Sequence, residues 1–256
     1  MTLHFQRHLP RCPVNQRRRF LSAASLFATA SVCGCASLGA PSAVSSEQNC
    51  KTYDKARQTS VTPDQALQAL KDGNARFTDG KMENCDLMAQ VRATAAGQAP
   101  FAAVVGCIDS RVPPELVFDQ QIGDLFVARI AGNFINTDIL GSLEFATAVA
   151  GAKLIVVLGH TECGAIKGAV DNVQLGNLTS MLANIRLSVL KVKGIEGSQD
   201  SKNSKLVQAV ADQNVMDAAA MLTARSEVLS QLVREGKLRI ASAMHDIATG
   251  RITWTP

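Results

Sequence analysis

Two short apolar runs, each followed by a cysteine motif, constrain this chain more than any other feature. Residues 101–106 read Phe-Ala-Ala-Val-Val-Gly, and residues 154–159 read Leu-Ile-Val-Val-Leu-Gly. Runs this short, rich in β-branched residues and ending in glycine, are typical of buried parallel strands. Because the carboxyl ends of parallel strands share one edge of a sheet, the residues that follow the two runs are expected to meet there.

The residues that follow the two runs are typical zinc ligands. The first motif is Cys-Ile-Asp-Ser-Arg, with Cys107, Asp109 and Arg111, and the second is His-Thr-Glu-Cys, with His160 and Cys163. Two sulfurs and one imidazole leave one position open in a four-coordinate zinc site, which is the pattern of catalytic zinc. Taken singly, the motifs also fit an inert buried thiol, a nucleophilic cysteine with a histidine base, or a surface ion pair.

The elements around these motifs predict an α/β fold. A capping box that begins at Thr62 opens a first helix, and a second short helix is expected over residues 86–96. Strands and helices then alternate, followed by a C-terminal hairpin; the strands are expected at 101–107, 125–130, 153–159, 238–244 and 251–254, and the helices near 114, at 138–150, from 164 and at 205–235. The pattern predicts a mostly parallel central sheet flanked by helices. It also predicts an N-terminal helical arm that lacks a complete core and packs on a neighbour such as another subunit.

The N-terminus reads as an export signal. Arg-Arg-Arg-Phe-Leu at 17–21 precedes an apolar stretch rich in serine and alanine, which predicts a twin-arginine-like signal over residues 1–38 and a periplasmic protein. A linker is expected at 39–60 and the zinc domain at 61–256. The alternative is a lipoprotein acylated at Cys35, the only route by which we expect contact with a membrane.

The net charge does not favour a nucleic-acid partner. The chain carries 26 basic and 22 acidic residues, but five of its arginines lie in the first 46 residues, where no acidic residue occurs. The remaining 21 basic residues face 22 acidic ones, so the predicted domain has no basic excess. Cys50 and Cys85 are the two cysteines left outside the signal and the motifs. In an oxidising compartment they are expected to form a disulfide, with two free thiols as the alternative.

The two motifs resemble those of the β-class carbonic anhydrases, which carry Cys-x-Asp-Ser-Arg and His-x-x-Cys about fifty residues apart. Here Cys107 and His160 are 53 residues apart. The likeness runs from about Thr62 to Trp254 and includes further blocks at 123–127, 129–133, 142–146 and 246–250. It implies a Zn²⁺ cofactor on Cys107, His160 and Cys163. It also implies reversible hydration of carbon dioxide to bicarbonate and a proton by attack of zinc-bound hydroxide, in a homodimer or a dimer of dimers.

The resemblance also implies roles for residues around the metal. Asp109 and Arg111 correspond to an orienting dyad, and Asp109 becomes a metal ligand only in a closed, inactive state. The substrate pocket of the plant-type arrangement corresponds to Gln98, Phe126, Phe145 and Gly164. Phe145 is a departure, since many relatives have tyrosine there. His245 also stands in a tyrosine position, and its place in the hairpin predicts a surface histidine.

Two other functions are compatible with the same motifs. A hydrolase of carbonyl sulfide or carbon disulfide would use the same zinc ligands, so the ligands do not distinguish it from a carbonic anhydrase. A non-catalytic zinc-binding protein would need the ligands alone. The presence of Asp109, Arg111 and Gln98 favours an enzyme, because storage of a metal requires none of them.

Overall fold

A five-stranded sheet forms the centre of the molecule, and the computed structural model describes residues 50–255. The strand order is β2-β1-β3-β4-β5, with β5 antiparallel to β4 and the other pairs parallel. The strands are β1 (Ala102–Gly106), β2 (Leu125–Arg129), β3 (Leu154–His160), β4 (Arg239–His245) and β5 (Ile252–Thr255). The mostly parallel sheet and the terminal hairpin are confirmed. The predicted signal, Cys35 and residues 39–49 of the predicted linker lie outside the described residues.

Helices cover both faces of this sheet. They are α1 (Lys55–Ser60), α2 (Pro63–Thr78), α3 (Leu87–Thr94), α4 (Pro114–Val117), α5 (Thr137–Glu144), α6 (Gly164–Val170), α7 (Gly176–Lys191), α8 (Ser204–Arg225) and α9 (Glu227–Arg234). A π-helical segment, Phe145–Val149, continues α5. Within residues 50–255 no helix combines the length and the apolar character that a membrane span requires.

Four of these helices differ from the expected pattern. The sequence pattern does not predict α7, which lies between the two expected helical regions. The single helical region expected at 205–235 is two helices, because the Ser226 backbone is extended and its side chain accepts a hydrogen bond from the Leu229 N–H, capping α9. The helix expected at 138–150 changes to π-helical geometry at Phe145.

The expectation that the helical arm lacks a core is wrong for α2. The predicted capping box is present at Thr62 and Gln65. Ala66, Leu67 and Leu70 then lie along one face of α2 and are buried in the same apolar cluster as the sheet. Spacings of three and four residues bring such side chains to one side of a helix, and here that side covers the chain's own strands. Of the two helices of the predicted arm, α3 retains an exposed apolar surface, formed by Leu87, Met88 and Val91.

The N-terminal segment is part of the folded unit from residue 50 onward. Residues 55–60, predicted as the end of a linker, form α1, which Asp54 caps by accepting a hydrogen bond from the Arg57 N–H. Gln58 is fully buried and donates to the carbonyl oxygens of Pro100 and Ala150 at 2.7 and 3.0 Å. A buried amide without such partners would be costly, so these bonds hold α1 against the sheet.

The predicted disulfide is confirmed. Cys50 and Cys85 are bonded, and their Cα atoms lie 5.4 Å apart. The bond joins the start of the described chain to the segment that leads into α3.

Candidate metal centre

The three predicted ligands converge at the carboxyl edge of the sheet, where β1, β3 and β4 end. Cys107 directly follows β1, and His160 is the last residue of the neighbouring strand β3. Their ligand atoms and the Cys163 sulfur all lie within 4.8 Å of one another, and the three residues are buried. The expectation that the two motifs meet is therefore confirmed.

A tight turn brings Cys163 back beside His160. Glu162 lies between them with a φ of +57°, a left-handed conformation that is uncommon for a residue with a side chain. The chain then enters α6 at Gly164. The turn explains how two ligands three positions apart reach one point.

The His160 ring is prepared to bind a cation. Its Nδ1 lies 2.9 Å from the carbonyl oxygen of Thr161, so Nδ1 carries the hydrogen and Nε2 carries the lone pair. The buried Nε2 has no hydrogen-bond partner within residues 50–255. A buried acceptor is rarely left without a partner, and this one lies among two sulfurs. The donor set and the unpartnered nitrogen fit zinc.

The two ligand sulfurs lie within hydrogen-bond distance of each other, with their Sγ atoms 4.0 Å apart. The hydrogen bond with Cys163 lowers the pKa of the Cys107 thiol, while the same bond, followed by burial, raises the pKa of Cys163. A cation bound between the sulfurs would favour the thiolate form of both, since metals bind the thiolate form.

Asp109 and Arg111 form the predicted pair beside the ligands. Arg111 Nε and Nη2 donate to the two carboxylate oxygens of Asp109 at 2.9 and 2.7 Å. These hydrogen bonds hold the pKa of Asp109 well below its usual range, so the carboxylate stays ionised. Asp109 Oδ2 lies 3.9 Å from His160 Nε2. The carboxylate is therefore next to the ligands while both of its oxygens are bound to Arg111.

Arg129 is a further contact of this loop to which the sequence pattern assigns no role. Its Nε donates to the carbonyl oxygen of Cys107 at 2.8 Å, and its Nη2 donates to that of Asp109 at 2.5 Å. Arg129 is the last residue of β2 and pairs in register with Gly106. A basic residue that ends the strand beside a ligand-bearing strand was the available signal for it.

The prediction that His245 is a surface residue is wrong. His245 is 2% exposed, and it ends β4 in register with His160. Both ring nitrogens lack hydrogen-bond partners among the described residues. Burial lowers the pKa of its imidazole. The ring lines a cavity of about 500 Å³ that Ser110 and Arg111 also line.

Of the four predicted pocket residues, three do not lie beside the ligands of their own chain. Gly164 does, since it directly follows Cys163. Gln98 is exposed and precedes β1, whose five residues span about 16 Å, so Gln98 lies at the opposite, amino edge of the sheet. Phe126 pairs in register with Ala103, about 13 Å along the strand from residue 107.

Phe145 lies with Phe126, not with the metal ligands. Their ring centroids are 6.2 Å apart in an edge-to-face arrangement, and both rings line a cavity of about 660 Å³. Phe145 is half exposed. The predicted site residues thus fall into two sets. The ligands lie with Asp109, Arg111 and Gly164 at the carboxyl edge of the sheet. The other three, Gln98, Phe126 and Phe145, lie away from the ligands, and we call them the amino-edge residues.

Comparison with known proteins agrees with this fold and these motifs. The family model described as "Carbonic anhydrase" matches residues 102–252. "Carbonic anhydrase 2" of Mycobacterium tuberculosis is 36% identical over 192 residues, which is 75% of this chain and 92% of that protein. The carbonic anhydrase of Pseudomonas aeruginosa is 30% identical over 167 residues, covering 63% of this chain and 76% of that protein.

Solved structures show the same architecture. The β-carbonic anhydrase CafA of Aspergillus fumigatus superposes with a TM-score of 0.57 at 26% identity, covering 74% of this chain and 88% of that one. One of the two tetrameric β-carbonic anhydrases of Sordaria macrospora gives 0.55 at 26% identity, covering 65% and 89%. Together with the match of the family model and the mycobacterial relative, these likenesses place the chain in the β class of the carbonic anhydrase family.

Proposed function

We propose that this carbonic anhydrase hydrates carbon dioxide reversibly with one zinc ion held by Cys107, His160 and Cys163. The observation that carries the proposal is the buried triad, whose ligand atoms lie within 4.8 Å of one another and whose imidazole Nε2 is unpartnered. When bound, zinc would lower the pKa of a water molecule at its fourth position to about 7 and so supply the nucleophile at neutral pH.

Asp109 is proposed to orient that nucleophile. Its pKa is lowered by Arg111, so it accepts a hydrogen bond and does not donate one. Arg111 fixes the carboxylate through two parallel hydrogen bonds, which set both position and angle. Arg129 fixes the backbone on both sides of Ile108 by donating to the carbonyl oxygens of Cys107 and Asp109. If the hydrogen bonds from Arg111 were lost, Asp109, whose Oδ2 lies 3.9 Å from His160 Nε2, would be near enough to occupy the open position on the metal and block it.

The substrate pocket is proposed to need two copies of the chain. Gln98 and Phe126 lie away from the ligands, towards the opposite end of the strands, so one chain does not bring them to its own metal site. In a symmetric dimer, each copy would place its amino-edge residues beside the metal site of the other, which would complete both sites. The tetrameric relatives from Sordaria macrospora support an oligomer, and a homodimer is the smallest assembly that meets this need.

Export to the periplasm is proposed from the arginine-rich N-terminus. The Cys50–Cys85 disulfide supports this location, because the cytosol keeps most thiols reduced. Cell fractionation with mass measurement of the mature protein tests it. A cytosolic protein with an intact N-terminus would contradict the proposal, and an acylated Cys35 would move it to the membrane surface.

The function is tested on purified protein by zinc analysis and stopped-flow hydration of carbon dioxide. One zinc per chain and rapid hydration are expected, with slower or no turnover of carbonyl sulfide and carbon disulfide. The Arg111→Ala variant should keep its zinc while hydration falls on the order of 100-fold, because Asp109 loses its partner. Wild-type rates in that variant at every pH would remove the dyad from the mechanism.

A further inference from the structure

We infer that Asn214 is a positioning residue of the metal site and acts on the Cys107 sulfur through the backbone of Gly132. The inference rests on the proposed zinc site. Asn214 lies in the middle of α8 and touches none of the three ligands. Its role follows from two hydrogen bonds that join it to Cys107 and from the close packing of α8 on β3.

The first hydrogen bond reaches the sulfur itself. The Gly132 N–H donates to Cys107 Sγ at 3.3 Å. A hydrogen bond to a thiolate withdraws charge from the sulfur and fixes the direction of its lone pairs. Gly132 follows β2 in a loop and has a φ of +79°, so the loop depends on glycine to place this N–H.

The second hydrogen bond fixes Gly132. The Asn214 side-chain amide donates to the Gly132 carbonyl oxygen at 2.8 Å, and Asn214 is only 3% exposed. The other buried side chains of α8 are all apolar: Leu206, Val207, Val210, Ala211, Val215, Ala218 and Leu222. A single amide on this apolar face therefore bonds to a residue whose own N–H reaches a metal ligand.

Close packing limits the loop that contains Gly132 to small movements. A Cβ atom at Gly132 would lie 2.4 Å from Ile185 Cδ1 and 3.2 Å from Ala165 Cβ, so helices α6 and α7 press closely against it. The residue after Asn214 contacts the other half of the site. A Cβ atom at Gly159 would lie 2.4 Å from Val215 Cγ2, so α8 also packs directly on β3 just before His160.

The helix thus spans both halves of the metal site, with Asn214 on the Cys107 side and Val215 on the His160 side. Loss of the amide would leave the Gly132 carbonyl oxygen buried without its partner. A small change in the Gly132 dihedral angles, within what the close packing allows, would let that oxygen find another donor and would lengthen the hydrogen bond from the N–H to the sulfur. The expected consequence is a weaker hold on the metal and a more strongly donating thiolate, with no change in the identity of the ligands.

The test uses the Asn214→Leu variant of the whole protein with cobalt(II) as a spectroscopic probe and zinc for affinity. Leucine has a similar size and removes the donor. The thiolate-to-cobalt charge-transfer band should move to longer wavelength, and zinc should bind at least about 10-fold more weakly in a chelator competition. Asn214→Ser should fall between wild type and leucine, because serine keeps a hydroxyl donor and its smaller side chain leaves room for a water molecule beside the cavity of about 330 Å³ that Asn214 lines.

The matched control is Gln58→Leu. Gln58 is also a fully buried amide that donates to backbone carbonyl oxygens, but it lies at the amino edge of the sheet. It should lower thermal stability without moving the cobalt band or the zinc affinity.

Four results would overturn the inference or the proposed metal site on which it rests. A wild-type cobalt spectrum without a thiolate band would remove the proposed metal site. A normal wild-type band with an unchanged band and affinity in Asn214→Leu would remove the role of Asn214 alone. An equal shift in Gln58→Leu would show that only general destabilisation is at work. If the leucine variant does not fold, an unchanged band and affinity in Asn214→Ser decide against the inference.

Discussion

The carboxyl and amino edges of the sheet carry different parts of the site. At the carboxyl edge, Cys107, His160 and Cys163 lie within 4.8 Å of one another in a single chain and are buried. Towards the amino edge, Gln98 is exposed and Phe126 packs against a half-exposed Phe145. The ligand cluster at the carboxyl edge is thus built by one chain, whereas the proposed substrate role of the amino-edge residues requires a second copy. Four predictions test this division.

The largest expected effect is at the carboxyl edge. Cys163→Ala removes one of three ligands and should leave a site that holds no zinc at ordinary concentrations, with hydration reduced to the uncatalysed background. Zinc per chain and stopped-flow hydration measure it. Cys85→Ala is the control, a cysteine from the other edge whose loss should leave zinc and rate unchanged. Full zinc occupancy in Cys163→Ala would defeat the ligand assignment.

The second prediction tests directly whether the substrate pocket is formed by two chains. Gln98→Ala should keep its zinc but lose hydration on the order of 100-fold, because a hydrogen-bonding group beside the substrate is gone. When Gln98→Ala is co-expressed with Cys163→Ala, each mixed dimer contains one intact site. The Gln98→Ala chain supplies its metal ligands, and the Cys163→Ala chain supplies its amino-edge residues. Half of randomly formed dimers are mixed, so about a quarter of wild-type activity should return.

Differently tagged chains allow the mixed dimers to be isolated and assayed. The same two variants purified separately and combined without exchange provide the control. Activity no higher than the sum of the two homodimers would show that Gln98 serves its own chain or has no role in turnover.

The carboxyl edge was the part of the site most open to prediction from sequence. A ligand that directly follows a buried strand is placed by that strand, so Cys107 and His160 could be located from apolar runs alone. The burial of His245 could not, since the hairpin pattern does not show which elements pack around the end of β4. In the sequence Asn214 does not stand out from the other polar residues of α8, such as Asp212, Gln213 and Asp217, and only the loop beyond β2 reveals its partner.

The third prediction concerns the disulfide. Replacing Cys50 and Cys85 together by serine should lower the free energy of unfolding by about 3–4 kcal/mol, because the bond closes a loop across 35 positions and restricts the unfolded chain. Denaturant unfolding of oxidised wild type and the double variant measures the difference. Zinc content and hydration should not change, since the bond lies away from the ligands. Loss of zinc in the double variant would show that the two edges are coupled.

The smallest expected effect is a pH dependence that separates two carboxylates. Arg111 lowers the pKa of Asp109 at the carboxyl edge, whereas burial raises the pKa of Asp124, just before β2, to about 6. Asp124 accepts a hydrogen bond from the Gln121 N–H at 3.0 Å, and its Oδ1 has no partner within the described chain. Backbone bonds and the charge of Arg57 offset only part of the cost of burial.

The sign of the effect follows from the raised pKa. Between the ordinary value of 3.8 and about 6 the folded state binds this proton more tightly than the unfolded state does. The stability contributed by protonated Asp124 is therefore fully present below about pH 4 and is lost as the pH rises to about 6, on the order of 2–3 kcal/mol. Asp124→Asn keeps an acceptor oxygen and cannot ionise, so the wild-type minus variant difference in unfolding free energy should fall across this window. Denaturant titrations of both proteins from pH 4 to 7.5 measure it, and a flat difference would mean that Asp124 remains ionised and solvated throughout.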